Sequence, residues 1–310
     1  MHSAWQSALG FGFAPSASAP SVRYAPDGYR VAIPSVLGLI RRFLTGGNPA
    51  AAYAALDFVC VLGSLLLYCE MLRRPGDRDR LTSAGRMLRV ALFLALVQIP
   101  LAWVTPWQRP ETTPTTLYLG AALLCLRLSR RSAAWLGGLC VLTAWQSFVR
   151  SDVPAVMGLA VLLVSVFSRR LEGVASRRLL AVCGFAMLAI ALAAQAYLQL
   201  VAFPHLSYPP GTGVLQWRPN LQRHNLAVAG TVLLPVALGG VLLRAKTTAL
   251  GMVDRIAVVA AGIYLVVWYM VGNTAEVRLY VPFLFALCWV VARALPGWVM
   301  GSQPDAGLLH

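Results

Sequence analysis

The stretch Ala50-Ala-Ala-Tyr-Ala-Ala-Leu-Asp57-Phe-Val-Cys-Val-Leu-Gly-Ser-Leu-Leu-Leu-Tyr-Cys-Glu70-Met-Leu72, followed at once by Arg73-Arg74, decides the fold class. It carries only two charges and is long enough, as a helix, to cross a hydrocarbon core, which takes about 20 residues. Gly46-Gly47-Asn48-Pro49 breaks the chain just before it. Eight more apolar stretches follow, at roughly 87–104, 115–128, 133–148, 153–167, 179–203, 226–243, 256–271 and 277–295. The reading is an all-α polytopic transmembrane bundle of about nine spans, within a range of eight to ten. The third, fourth and fifth are short enough for a pair of them to be re-entrant.

Composition agrees. Charged residues make up 12% of the 310-residue chain and apolar ones 58%, against about 25% charged in a soluble domain. Mean hydropathy is +0.68. The net charge of +15 does not point to nucleic acid, because the basic residues sit at helix ends rather than along one face. The six cysteines all lie in apolar stretches with no zinc spacing, and read as packing residues. Of four histidines, only His205 and His224 share a loop, too few for a metal site. No cofactor and no metal is expected.

Loop charge orients the bundle. The loops holding Arg73 to Arg89, Arg127 to Arg131, Arg169 to Arg178, Arg244 to Arg255, and Arg293 contain seventeen basic residues; the alternate set contains nine. The richer set is expected in the cytoplasm. Residues 1–49 are then an outer segment with a short interfacial or re-entrant helix at Ala32–Phe43. Residues 50–295 form the bundle, and 296–310 a cytoplasmic tail. Met1 to Pro20 lacks the basic and apolar regions of a signal peptide, so a start upstream of Met1 is also open.

The unusual polar residues fall in the outer loops. Arg30-Val-Ala-Ile-Pro34, Arg150-Ser-Asp-Val-Pro154 and Arg278-Leu-Tyr-Val-Pro282 share the pattern Arg-x-x-x-Pro leading into an apolar helix. Each has a carboxylate close by: Asp27, Asp152 and Glu276. Proline suits a helix's first turn, whose free N–H groups favour an anion, and arginine adds a planar two-donor contact for phosphate. Chance placement of 25 Arg and 19 Pro gives about 1.5 such spacings, so ordinary interfacial ion pairs are the competing account. The long outer loop from Pro204 to Asn225 adds Arg218, Arg223 and His224, either as a binding loop or as an interfacial belt with Tyr208 and Trp217. Asp57 lies inside a span, where a carboxylate must face the bundle interior, a partner or water.

Asp27-Gly-Tyr-Arg-Val-Ala-Ile-Pro34 and Ala275-Glu-Val-Arg-Leu-Tyr-Val-Pro282 resemble segments of poorly characterised bacterial polytopic membrane proteins. Those are similar to GT-C-type glycosyltransferases that use polyprenyl-phosphate sugars. The resemblance implies a bacterial plasma-membrane protein serving envelope glycan assembly. It also implies a catalytic acid on the outer face early in the chain, here Asp27 with Arg30 beside it. Asp152 and Glu276 are further acid candidates, and the Arg residues would hold a lipid phosphate. Membrane lipids and a polyprenyl-phosphate-linked sugar are the expected partners. This chain has no paired Asp-Asp, so a non-catalytic relative stands beside the active enzyme. A transporter or flippase, and a structural membrane subunit, are the alternatives. Polar residues gathered at the outer end would favour the transferase, and a polar path through the bundle would favour transport.

Overall fold

The computed structural model describes residues 31–72, 91, 111–167, 177–204, 215, 217–230, 251–272 and 281–294. Nine helical elements are named here: α1 (Ala32–Phe43), α2 (Pro49–Leu72), α3 (Thr112–Leu128), α4 (Ala134–Arg150), α5 (Asp152–Phe167), α6 (Arg177–Tyr197, continuing into a π-helical turn Leu198–Ala202), α7 (Trp217–Asn220), α8 (Met252–Val271) and α9 (Val281–Ala294). Residues 223–230 are helical as well, and no strand occurs among the described residues.

Among the described residues, three helices are long and apolar enough to cross a membrane: Pro49–Met71, Arg177–Ala202 and Met252–Val271. This is fewer than the nine expected spans. Helices α3, α4, α5 and α9 have 17, 17, 16 and 14 residues, short of the ~20 a full crossing takes. A polar first turn shortens the apolar length of α3 and α5, and an arginine in the last turn that of α3 and α4. The span expected at 87–104 and most of the one at 226–243 lie outside the described residues. So do residues 1–30 and the tail at 296–310.

Local sequence sets the break between α1 and α2. Gly46 and Gly47 have φ of 57° and 90°, a region that side chains with a Cβ rarely adopt. Asn48 Oδ1 accepts hydrogen bonds from the amides of Ala50 and Ala51 at 2.9 and 3.2 Å. It caps α2, and Pro49 takes the first helical position, where no N–H is needed. Helix α1 lays Ala32, Ile33 and Leu37 against Ala52, Tyr53 and Val149.

Helices α2 and α3 run parallel. Asp57 meets Thr113 near their starts, and Arg127 donates to the carbonyls of Glu70 and Met71 near their ends. The same carbonyl of Met71 accepts from Trp289 Nε1 of α9 at 3.3 Å. The exposed carbonyls at the end of α2 thus find donors. Helix α8 turns Met252, Val253, Ile256, Ala257, Ala260, Ala261 and Tyr264 inward, the three-and-four spacing of one helical face. The outward faces of the three long helices are apolar too: Phe58 and Leu66 on α2, Val182, Phe185 and Leu192 on α6, and Val266 and Val267 on α8 are exposed.

Helices α5 and α6 approach most closely, and two glycines allow it. A Cβ on Gly158 would lie 2.8 Å from the amide nitrogen of Leu188 and 2.9 Å from the carbonyl oxygen of Gly184. A Cβ on Gly184 would lie 2.7 Å from the amide nitrogen of Leu162 and 2.9 Å from the carbonyl oxygen of Gly158. Backbone meets backbone at this crossing, as in small-residue helix contacts of membrane proteins. Gly262, on the exposed side of α8, has nothing within 4 Å of such an atom. Gly158→Ala and Gly184→Ala should each destabilise the protein by roughly 1–3 kcal/mol, since backbone cannot rotate aside. Gly262→Ala should be neutral or slightly stabilising. Thermal unfolding of the three variants in one detergent tests this; equal midpoints would show that the crossing does not depend on the glycines.

Candidate functional site

Arg150 is the last residue of α4 and Asp152 the first of α5, with Ser151 between them. Arg150 is 6% exposed. Its Nε donates to both carboxylate oxygens of Asp152, at 2.9 and 3.1 Å, and its Nη2 donates to Asp152 Oδ2 at 2.9 Å. Nη2 also donates to the Tyr264 hydroxyl at 2.5 Å. The guanidinium carbon lies 5.7 Å from the Tyr264 ring centre and 5.4 Å from that of Trp268, within cation–π range. Trp268 Nε1 is buried and takes no hydrogen bond among the described residues. Ser151 donates to Gln195 Oε1 at 2.5 Å, tying the helix junction to α6.

The first turn of α3 faces the same end of the bundle. Glu111 and the run Thr112-Thr113-Pro114-Thr115-Thr116 are all buried. Thr115 and Thr116 donate to the carbonyls of Glu111 and Thr112, at 2.6 and 2.9 Å, so their burial leaves no donor stranded. Thr115 Oγ1 also accepts from Gln146 Nε2 of α4 at 2.8 Å. Thr113 donates to Asp57 Oδ1 of α2 at 2.6 Å. Asp57 and Glu111 are both within electrostatic reach of Tyr53, and Glu111 is within reach of Arg150. Four helices thus bring two carboxylates, one arginine–carboxylate pair and a set of hydroxyl and amide groups to one end.

Of the six residues in the three Arg-x-x-x-Pro sites and their neighbouring carboxylates, Arg150 and Asp152 meet. Asp27, Arg30, Glu276 and Arg278 lie outside the described residues. Asp57 is half-buried and points at α3. Arg218, Arg223 and His224 are exposed, on a segment that packs on the end of α8. The Arg218 guanidinium rests 5.1 Å from the ring centre of its neighbour Trp217. Arg150 is more committed than expected, with one carboxylate, one hydroxyl and two rings around it. Among the described residues no three His, Cys, Asp or Glu side chains are grouped as a metal site would need.

Sequence reasoning passed over Glu111, Gln146, Gln195, Tyr264 and Trp268. A signal was present: Gln146 and Gln195 stand within apolar runs, where an amide must find a partner, and four threonines in five residues mark α3. No family model matches the chain, and no curated protein or solved structure matches it either.

Removing one member of a buried ion pair leaves the other charge uncompensated, at a cost of about 3–5 kcal/mol when both are fully buried. The Asp152 side chain is 34% exposed, so water screens part of that. Asp152→Asn should therefore destabilise the protein by roughly 2 kcal/mol. Arg150→Lys should cost a similar amount, because an ammonium cannot make the planar two-donor contact. The double change Arg150→Met with Asp152→Asn should be less damaging than the sum of its parts. Full additivity in a thermal double-mutant cycle would show that the two side chains do not act as a pair.

Proposed function

We propose that this chain is a multi-pass protein of a bacterial plasma membrane, with the Arg150 end of the bundle facing outward and the C-terminus in the cytoplasm. In this reading the Arg150 end binds a polyprenyl-phosphate-linked sugar and acts in envelope glycan assembly, as a GT-C-like transferase. The observation that carries the reading is the gathering of buried and half-buried polar groups at one end: Asp57, Glu111, Thr113, Thr115, Gln146, Arg150 and Asp152. A through-going polar path, the mark of transport, does not run through the α3–α9 core, where Leu119, Leu123, Leu126, Phe283 and Trp289 are packed.

Other features support the membrane reading. The outward faces of α2, α6 and α8 expose large side chains of a kind that a water-soluble protein covers. Helices α2 and α3 run parallel, the arrangement that an odd number of crossings between them produces. A count near nine spans accommodates this, with the shorter helices completed by flanking residues or by local thinning. Helix α1, with Arg41 and Arg42 in its last turn and Phe43 exposed, suits a position in the interface.

Roles follow from commitment. Asp152 is tied to Arg150 and is poorly placed to accept a proton. Asp57 is the better base: Thr113 holds Oδ1, and Oδ2 makes no hydrogen bond among the described residues. A carboxylate so oriented takes the proton of an acceptor hydroxyl as it attacks the sugar. Arg218 and Arg223, exposed on the segment at the end of α8, supply donors for the lipid phosphate.

A deletion strain should accumulate a lipid-linked glycan lacking one sugar. The wild-type gene should restore the full glycan, and Asp57→Asn should not, with activity down by a factor of about 100 or more and an unchanged melting temperature. An unchanged glycan profile in the deletion strain would end the transferase reading. A complete glycan held in the cytoplasmic leaflet would replace it with transport. A reporter fused at His310 should be active only in its cytoplasmic form; the opposite result inverts the topology.

A further inference from the structure

We infer that the segment Trp217–Asn225 is a latch on the Arg150 centre, held by Asn220 and released as a unit to uncover the guanidinium. Asn220 is fully buried, whereas Trp217, Arg218, Leu221, Arg223 and His224 around it are exposed. Its Nδ2 donates to the carbonyls of Tyr269 and Gly272, both at 2.7 Å. These are carbonyls at the C-terminal end of α8, where helical partners run out. Asn225 closes the segment on itself by donating to the Pro219 carbonyl at 3.0 Å. One buried amide therefore fastens an otherwise surface-lying segment to the end of a helix.

The same end of α8 covers the charged centre. The Gly272 amide donates to the Trp268 carbonyl at 2.8 Å. The Trp268 ring lies directly against the Gly272 α-carbon: a Cβ there would fall 1.8 Å from Cε3. The ring's face is turned to Arg150, 5.4 Å from its guanidinium carbon. The last turn of α8 and the ring over Arg150 are in direct contact. Losing the Asn220 contacts frees the carbonyls, the turn and the ring together. The latch does not depend on which ligand the centre binds.

Arginine modification by phenylglyoxal, read by mass spectrometry on the full chain in detergent, tests it. In the wild type Arg150 should react slowly, and the exposed Arg218 and Arg223 quickly. Asn220→Asp keeps the shape but removes both donated bonds, and should speed modification of Arg150 by about tenfold or more. Arg127, at the far end of the bundle, should keep its wild-type rate, which separates release of the latch from loss of the fold. Gly272→Ala drives the ring aside while leaving Asn220 in place, and should unmask Arg150 as well. It stands in if Asn220→Asp does not fold. Arg150 reacting at its wild-type rate in whichever of the two variants folds would overturn the inference, as would equal acceleration at Arg127.

Discussion

An arginine side chain keeps its proton under any condition in which a protein folds. Burying one in an apolar bundle therefore imposes a constraint that neighbouring residues must meet, since an uncompensated ion there costs several kcal/mol. Arg150 meets it with Asp152 from the next helix, the Tyr264 hydroxyl from α8, and two aromatic rings. The carboxylate is only two residues away, so the pair is local to the junction where α4 ends and α5 begins. Tyr264 and Trp268 then set the rotation of α8, because both must face α4. Ser151, held by Gln195, positions α6 at the same junction. Four helices take their places from one charge.

Much of the architecture was legible because it follows from apolar length and from breaks. The α1–α2 boundary is written in Gly46-Gly47-Asn48-Pro49, whose two glycines adopt positive φ and whose asparagine caps the next helix. Helix α2 and the core of α8 have the length and periodicity that mark a buried apolar helix. The shorter helices were legible as apolar runs but not as full crossings, since composition does not say whether flanking polar residues are buried in the bundle or left in water. At α3 the difference is plain: the threonines that shorten its apolar run are among its most buried residues.

The site was legible only in part, for a related reason. Arg150 and Asp152 stood out because they are charged and sit beside a helix start. Their partners Tyr264 and Trp268 did not, being common at helix ends for other reasons and separated from Arg150 by more than a hundred positions. Glu111 directly precedes α3, and the fold encloses it. Pairings across such sequence distance depend on which helices become neighbours, and periodicity within one helix holds no information about that.

What remains chemically open at the Arg150 end follows from what is already used. The hydroxyls of Thr115 and Thr116 are given to backbone carbonyls of their own helix, and that of Ser147 to the carbonyl of Thr143. Thr113 serves Asp57, Tyr118 is shared with Thr143, and Ser151 is held by Gln195. A hydroxyl donating its proton to a carbonyl, with no base beside it, is a poor nucleophile. Thr115, Thr116 and Ser147 are therefore ill-suited to forming a covalent intermediate, whereas Thr113 has the Asp57 carboxylate beside it. Asp57 has one carboxylate oxygen fixed by Thr113, and its other oxygen makes no hydrogen bond among the described residues. The same hydroxyls that satisfy the buried polar end are thus already engaged among the described residues, one of them with Asp57.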